Sequence, residues 1–147
     1  MAKVLIKKLD PAVKLPDYKT VGASGMDLIA FIKKPINIEP YKSSLIPTGL
    51  SLSFSKEYEI QIRPRSGLAV KNNISVLNTP GTIDSDYRGE IKVILYNHGN
   101  KEFTVNNGDR IAQMVLAPTI KMEMEETDHL PETVRGESGF GSTGKWS

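Results

Sequence analysis

The sequence predicts an all-β protein: a distorted jelly roll or β-barrel of short strands, with at most one short helix and a mobile C-terminal arm. Several runs alternate apolar and polar residues, as half-buried strands do. Helical periodicity is nearly absent. The 12 Gly and 9 Pro residues suit a chain that turns often between short strands.

Six strand-like stretches follow one another along the chain, with one short helical stretch among them. The strands are expected at GMDLIAF, INIEP, GLSLSFS, YEIQIR, EIKVILYN and DRIAQMVLAP. In the third stretch, Leu50, Leu52 and Phe54 share one face. The polar pair Lys56–Glu57 separates GLSLSFS from YEIQIR and predicts a hairpin between them. The helix candidate is GLAVKNN, one or two turns at Gly67–Asn73.

Composition limits the possible functions. A net charge of +2 gives no broad field for nucleic acid or membrane surfaces. The absence of Cys excludes disulfides, thiolate chemistry and Cys-ligated metals, and two His residues cannot build a His-rich zinc site. The apolar run VILY is too short to span a bilayer, and the N-terminus has no signal-peptide apolar region. We therefore expect a cytoplasmic protein with neither nucleic acid nor membrane as a partner.

The chain changes character after Pro118, where an acidic stretch begins. The 17 residues of Pro118–Val134 would reach roughly 55 Å if extended at 3.3 Å per residue. That length exceeds the width of a small domain, so the C-terminal end is able to reach another subunit. We predict a β domain over residues 1–118, an acidic linker over 119–134 and a glycine-rich lid over 135–147.

The last nine residues, GFGSTGKWS, place Gly139, Gly141 and Gly144 at the G-x-G-x-x-G spacing. That motif binds phosphate between a strand and a following helix, and no helix follows here. Glycine nevertheless lets successive backbone N–H groups wrap phosphate oxygens. The residues alone leave two interpretations open, a phosphate-binding lid and a disordered tail. Trp146, the only tryptophan, lies two residues past Gly144 and is expected to be solvated in the free protein.

Two further stretches have the residue types of a site. IRPRSGLAV places Arg65, Ser66 and Gly67 between a strand and a helix, which indicates either an anion site or an ordinary surface turn. NTPGTIDSDYRGE crowds Asp84 and Asp86 into one loop of a predicted hairpin. A carboxylate there either activates water or binds a cation, or it is simply solvated in an Asx-type turn.

A third stretch, GDRIAQM, contains Arg110 and Gln113. Their odd separation puts them on opposite faces of a regular strand. Either a β-bulge brings the two side chains together or they serve different sites. A third possibility is that both simply face solvent.

Five of these stretches together resemble the trimeric all-β family of dUTPases. In the family's order they are ASGMDL, PRSGLA, LNTPGTIDSDYRGE, GDRIAQM and RGESGFGSTG, and they span residues 23–144. The resemblance implies hydrolysis of dUTP to dUMP and diphosphate, which keeps uracil out of DNA and supplies dUMP for thymidylate synthesis. It also implies a homotrimer whose sites are shared between subunits.

The resemblance assigns a role to each matching residue. Asp84 is the general base that activates water for attack on the α-phosphorus, and Gln113 helps position this arrangement. The implied phosphate contacts are Arg65, Ser66, Gly67, Arg110, Arg135, Gly141, Ser142 and Thr143. The implied nucleoside contacts are Asn78, Gly81, Thr82, Ile83 and Lys92 for uracil, Tyr87 for deoxyribose, and Phe140 stacking on the base.

The implied cofactor is Mg²⁺ held by the three phosphates and water, without a direct protein ligand. Asp27 supports the site near this ion, through water. A hairpin backbone presents hydrogen-bond donors and acceptors in a fixed order that matches uracil. Cytosine does not fit, because its amino group, a donor, would face a backbone donor.

Two other functions share this kind of fold. A dCTP deaminase requires a catalytic glutamate and a different pocket, and the pairing of GTIDSDY with GFGSTG argues against it. A catalytically inactive nucleotide-binding or signalling module is the alternative from another class. Asp84 and the intact glycine-rich end favour an enzyme.

Overall fold

The computed structural model describes residues 1–145 of the chain and contains, within them, eleven strands and one short helix. The strands are β1 Leu5–Lys8, β2 Met26–Ile29, β3 Ile36–Ile38, β4 Ser43–Pro47, β5 Leu50–Ser53, β6 Tyr58–Arg63, β7 Ile74–Val76, β8 Gly81–Ile83, β9 Lys92–Asn97, β10 Phe103–Val105 and β11 Arg110–Pro118. The helix α1 is Ser66–Asn72. Trp146 and Ser147, the end of the predicted lid, lie outside the described residues. The all-β prediction with one short helix is confirmed.

The strands form four antiparallel groups. The largest has the order β2-β11-β6-β8, and the next has the order β4-β9-β7. Two smaller pairs, β1-β5 and β3-β10, complete the fold. The core is mainly aliphatic, and Leu28, Ile46, Leu95 and Val105 are completely buried within it.

The predicted alternation of apolar and polar residues is present in the long strands. Ile60 and Ile62 of β6 are buried while their neighbours are partly exposed. Along β9 the buried positions are Val93, Leu95 and Asn97. Asn97 is polar but satisfied, because its amide donates to the carbonyls of Ile38 at 2.9 Å and Lys101 at 2.7 Å.

The predicted hairpin between GLSLSFS and YEIQIR is wrong. β5 pairs with β1, and β6 pairs with β11 and β8. The turn itself exists, since the amide of Tyr58 donates to the carbonyl of Ser55 at 3.0 Å. It redirects the chain into another sheet because both edges of β6 are taken by other strands. β11 offers β6 a ladder of six residue pairs, longer than four-residue β5 permits.

The tight turn between β4 and β5 ties distant segments together. The hydroxyl of Thr48 donates to the carbonyl of Ile91 at 2.5 Å, and the amide of Ile91 donates to the carbonyl of Leu50 at 2.7 Å. Between them, the amide of Gly49 donates to a carboxylate oxygen of Glu90 at 2.9 Å. The loop that enters β9 is therefore fixed at its end by three hydrogen bonds.

We predict that Gly49→Ala destabilises the protein. Gly49 has φ +71°, and a Cβ there would lie 2.5 Å from Val13 Cγ2 and 3.1 Å from Phe31 Cδ1. The left-handed backbone and the overpacking together should cost about 2 kcal/mol or more. Thermal unfolding at fixed protein concentration should show a Tm lower by roughly 4–8 °C. Gly22→Ala is the matched control, since nothing lies within 4 Å of its Cβ position. Equal Tm values for the two variants would contradict the account.

Candidate active site

β11 organises the basic part of the site because it pairs with β2 on one edge and β6 on the other. In these ladders Gln113 is the partner of Asp27 on β2 and also of Arg63 on β6. Asp27, Gln113 and Arg63 therefore form a row across three strands. The chain leaves β6 at Arg63, so Arg65 follows close beside this row.

Asp27 holds two arginines. Arg65 Nε donates to Asp27 Oδ1 at 3.0 Å, and Arg110 Nη1 donates to Asp27 Oδ2 at 3.4 Å. Arg65 Nη1 also donates to the carbonyl of Arg110 at 3.2 Å. Asp27 is 20% exposed and Arg65 29% exposed, so both groups are partly shielded from solvent. The cluster keeps a net positive charge, and most guanidinium N–H groups remain available for an anion.

A β-bulge in β11 explains how Arg110 and Gln113, which would face opposite sides of a regular strand, lie on the same side here. The register of β11 against β2 shifts between Arg110 and Ala112. Ile111 and Ala112 are consecutive and both buried, so Arg110 and Gln113 both lie outside the core. The bulge thus brings Arg110 to Asp27, which is also the strand partner of Gln113.

Gln113 is fixed by two neighbours. Its Nε2 donates to the carbonyl of Pro64 at 3.0 Å, which anchors the segment leading to Arg65. Its Oε1 lies over Gly25, where an added Cβ would be only 2.8 Å away. The need for a glycine at position 25 was missed from the sequence. The only available signal was a glycine beside the first residue of a strand.

The helix α1 begins at the basic cluster. Arg65 is its N-cap residue, and Ser66 and Gly67 are its first two residues. The helix ends at Asn72, and its C-cap residue Asn73 adopts the left-handed conformation with φ 56°. A cavity of about 310 Å³ lies beside this cluster, lined by Arg65, Leu68, Phe103, Thr104, Asp109, Arg110 and Ile111.

Asp84 and Tyr87 lie in a second cavity of about 460 Å³. Its lining is Leu45, Thr82, Ile83, Asp84, Tyr87, Glu90, Lys92 and Ile94. A narrow recess beside it is lined by Ile62, Val76, Asn78, Gly81, Thr82, Ile83, Lys92, Val93 and Ile94. The two linings share Thr82, Ile83, Lys92 and Ile94. The structure therefore brings together the residues predicted to contact uracil, the tyrosine predicted to contact deoxyribose, and the aspartate predicted to act as general base.

The predicted hairpin around Asp84 is wrong. β8 pairs with β6, whereas β9 pairs with β4 and β7. With both edges of β9 occupied, the loop from Asp84 to Ile91 crosses from one sheet to the other. The loop is nevertheless ordered by local bonds, since the amide of Tyr87 donates to the carbonyl of Asp84 at 3.1 Å.

The basic cluster and the Asp84 cavity are separate within one chain. Ile60 lies opposite Ile83, and Asp84 follows directly after Ile83. Three residues along β6, or about 10 Å at 3.3 Å each, separate Ile60 from Arg63, and Arg65 lies beyond that end. The two cavities share no lining residue.

The C-terminal arm leaves the β domain at Thr119, whose amide donates to the carbonyl of Glu57 at 2.8 Å. Farther along, Arg135 Nε donates to the carbonyl of Ser138 at 2.8 Å, a bond within the arm. Phe140 is fully exposed and has φ 48°. The predicted lid residues line neither cavity; they are Arg135, Phe140, Gly141, Ser142 and Thr143.

Two kinds of feature are absent from residues 1–145, a metal-holding cluster and a membrane-crossing helix. No three or more His, Asp or Glu side chains are grouped so as to hold a metal ion. No helix in the same residues has the length and apolar character needed to cross a membrane.

The chain is similar to known dUTPases. A family model described as dUTPase matches residues 12–144. The deoxyuridine 5'-triphosphate nucleotidohydrolase of Treponema denticola is 55% identical over 137 residues, covering 93% of this chain and 95% of the relative. The enzyme of the same name from Fusobacterium nucleatum is 50% identical over 146 residues, covering 99% and 100%.

Solved structures show the same fold. The dUTPase of Staphylococcus bacteriophage 80alpha with dUPNHPP has a TM-score of 0.86 at 22% identity, covering 97% of this chain and 98% of that chain. The dUTPase from phage phi11 of S. aureus has a TM-score of 0.79 at 18% identity, covering 89% and 99%.

We predict that Asp27→Asn lowers kcat/KM for dUTP by about tenfold to a hundredfold, because small losses of alignment cost this much. Asparagine keeps the size of the side chain but loses the charge that fixes two guanidinium groups. Steady-state kinetics on the folded variant measures the change. Asp17→Asn is the matched control, since Asp17 is 67% exposed and its ion pair within residues 1–145 is with nearby Lys19. Equal kcat/KM in both variants would show that the ion cluster does not position the arginines.

Proposed function

The chain belongs to the dUTPase family, and we propose that it hydrolyses dUTP to dUMP and diphosphate by water attack on the α-phosphate, with the residue roles given below. The attacking water loses a proton to Asp84, its oxygen bonds to the α-phosphorus, and the bond from that phosphorus to the bridging oxygen breaks. Diphosphate leaves, so the reaction consumes one water for each dUTP.

The observation that best supports this proposal is that the cavity lined by Asp84 adjoins the narrow recess, since both are lined by Thr82, Ile83, Lys92 and Ile94. Asp84 lines the second cavity, and its carboxylate is proposed to activate a water held beside the α-phosphate. Asn78 and the β8 backbone at Gly81–Ile83 surround the adjoining recess. Lys92 completes the uracil pocket, and its ammonium lies 3.8 Å from Glu90.

Tyr87 is proposed to pack beneath the deoxyribose. Its ring lines the second cavity and is 45% exposed, which leaves a face for the ligand. A flat ring against C2′ leaves no room for a ribose hydroxyl. Tyr87 thereby favours dUTP over UTP.

The triphosphate is proposed to bind at the basic cluster. It carries about four negative charges, and Arg65 and Arg110 present planar N–H groups suited to phosphate oxygens. Ser66 and Gly67 add a hydroxyl and backbone amides at the beginning of α1. Gln113 keeps the segment before Arg65 in place. These contacts position the phosphates and stabilise charge, which is most of what phosphoryl transfer requires.

Mg²⁺ is the proposed cofactor, bound to the phosphates and to water. A mutant dUTPase from phage phi11 of S. aureus coordinates a structural Mg(II) ion. Here the basic cluster is mainly cationic, and its carboxylate, Asp27, already accepts hydrogen bonds from two guanidinium groups. This donor set fits an ion that arrives with the triphosphate and keeps its waters. When bound, Mg²⁺ would neutralise phosphate charge, with Asp27 contacting its waters.

A homotrimer with shared sites is the proposed assembly. The basic cluster and the Asp84 cavity are separate within one chain, and the arm extends from the domain beyond Thr119. Residues 119–134 would act as the linker and residues 135–147 as a lid over a neighbouring site. There Phe140 stacks on uracil, while Arg135 and the Gly141–Thr143 backbone cover the outer phosphates. The proposed location is the cytoplasm.

Asp84→Asn tests the proposed base. It should lower kcat by at least about a hundredfold while dUTP-analogue binding stays within about tenfold, as expected for loss of a general base. Diphosphate release from dUTP, measured against dCTP and dTTP, also distinguishes the enzyme from a deaminase and an inactive module. The control is Asp86→Asn, two residues along the same loop and outside the cavity lining. Near-normal turnover in Asp84→Asn would remove Asp84 from the mechanism.

Truncation tests the proposed lid. A chain ending at Val134 should keep its oligomeric state, measured by light scattering, because the β domain is complete. It should lose most of its activity, since Phe140 and the glycine-rich backbone no longer cover the ligand. A chain ending at Gly144 is the control and should stay active. Full activity in the shorter chain would mean that the glycine-rich end is an ordinary flexible tail.

A further inference from the structure

The Tyr87 side chain is folded back over its own loop. Its hydroxyl donates to the carbonyl of Glu90 at 3.0 Å, and its amide donates to the carbonyl of Asp84 at 3.1 Å. These two bonds fix the backbone and the far end of the ring. One face of the ring is left toward the cavity.

Gly89 lies directly behind the other side of this ring. A Cβ built on Gly89 would be 2.5 Å from Tyr87 Cζ and 3.0 Å from Cε2, and it would be closer still to the hydroxyl oxygen. Ordinary contact begins at 3.4 Å. Gly89 is not among the glycines with positive φ. The position therefore requires glycine for space and not for backbone freedom.

The backbone behind the ring is held in place. The carboxylate of Glu90 accepts from Gly49, and Ile91 is bonded to Thr48 and Leu50 through its carbonyl and amide. Glu90 is only 24% exposed, and its second oxygen lies 3.8 Å from the Lys92 ammonium. A methyl group added at position 89 would consequently displace the ring before it displaced the backbone.

We infer that Gly89 is a positioning residue: by leaving space for the Tyr87 ring, it sets the preference of the enzyme for dUTP over UTP. The inference rests on the proposed packing of the deoxyribose against Tyr87. A methyl group at position 89 moves the ring by about 1 Å, enough to break its bond to Glu90 and its fit to the sugar. dUTP then loses the contact of its deoxyribose with the Tyr87 ring. Because UTP does not make this contact, the preference for dUTP over UTP falls.

The first experiment measures kcat/KM for dUTP and UTP in Gly89→Ala. The expected result is a fall of about tenfold or more in the dUTP-to-UTP preference, mostly through a higher KM for dUTP, as displaced binding groups produce. Gly22→Ala is the matched control and should change neither value. An unchanged preference in folded Gly89→Ala would overturn the inference.

A double-mutant cycle with Tyr87→Ala gives the sharper test, because the three atoms nearest to the added methyl group all belong to the Tyr87 side chain. Tyr87→Ala/Gly89→Ala should match Tyr87→Ala in sugar preference and in Tm. This holds even where Gly89→Ala alone folds poorly, since removing the ring should then restore folding. An additional loss in the double variant would mean that Gly89 acts through the backbone, and it would overturn the inference.

Tyr87→Ala alone distinguishes a failure of the sugar role proposed for Tyr87 from a failure of the positioning role inferred for Gly89. If it leaves the sugar preference unchanged, the sugar role of Tyr87 is wrong and the role of Gly89 is overturned with it. If Tyr87→Ala lowers the preference while Gly89→Ala does not, only the role of Gly89 is overturned.

Discussion

The pairing of β11 with β2 on one edge and β6 on the other is the constraint on which the rest of the site depends. Gln113 lies opposite Asp27 and Arg63 at once. This register brings the segment after β6 beside the carboxylate on β2, and the bulge in β11 brings Arg110 to the same carboxylate. A one-residue slip would reverse the faces of β11 and separate the charges.

Six of the eleven strands in residues 1–145, β2, β3, β5, β6, β9 and β11, were predicted because their alternation is local, and the helix at Ser66–Asn72 agrees with the GLAVKNN stretch. The remaining strands, β1, β4, β7, β8 and β10, were not predicted. Both predicted hairpins were wrong for one physical reason. Neighbouring strands pair only if their edges are free, and the edges of β6 and β9 are occupied by strands distant in sequence. Local turn residues mark where the chain bends, but they do not identify the partner.

In the site, too, some residues could be predicted from the sequence and others could not. The roles of Asp84, Tyr87, Arg65 and Arg110 were predicted through the resemblance, and the structure places these four residues in the linings of two cavities. The glycines at positions 25 and 89 were not named, because what they make room for is visible only in three dimensions. A side chain from another strand lies over Gly25, and a ring from two residues back lies over Gly89.

The basic cluster and the Asp84 cavity are proposed to act together in a site made by two subunits. Mixing inactive Asp84→Asn chains with inactive Arg65→Ala chains, after joint unfolding and refolding, tests it directly. The mixture should regain dUTP hydrolysis, since some interfaces then combine an intact Asp84 with an intact Arg65. A mixture no more active than its separate components would place both groups in a site within one chain, and the proposed sharing of sites between subunits would be wrong.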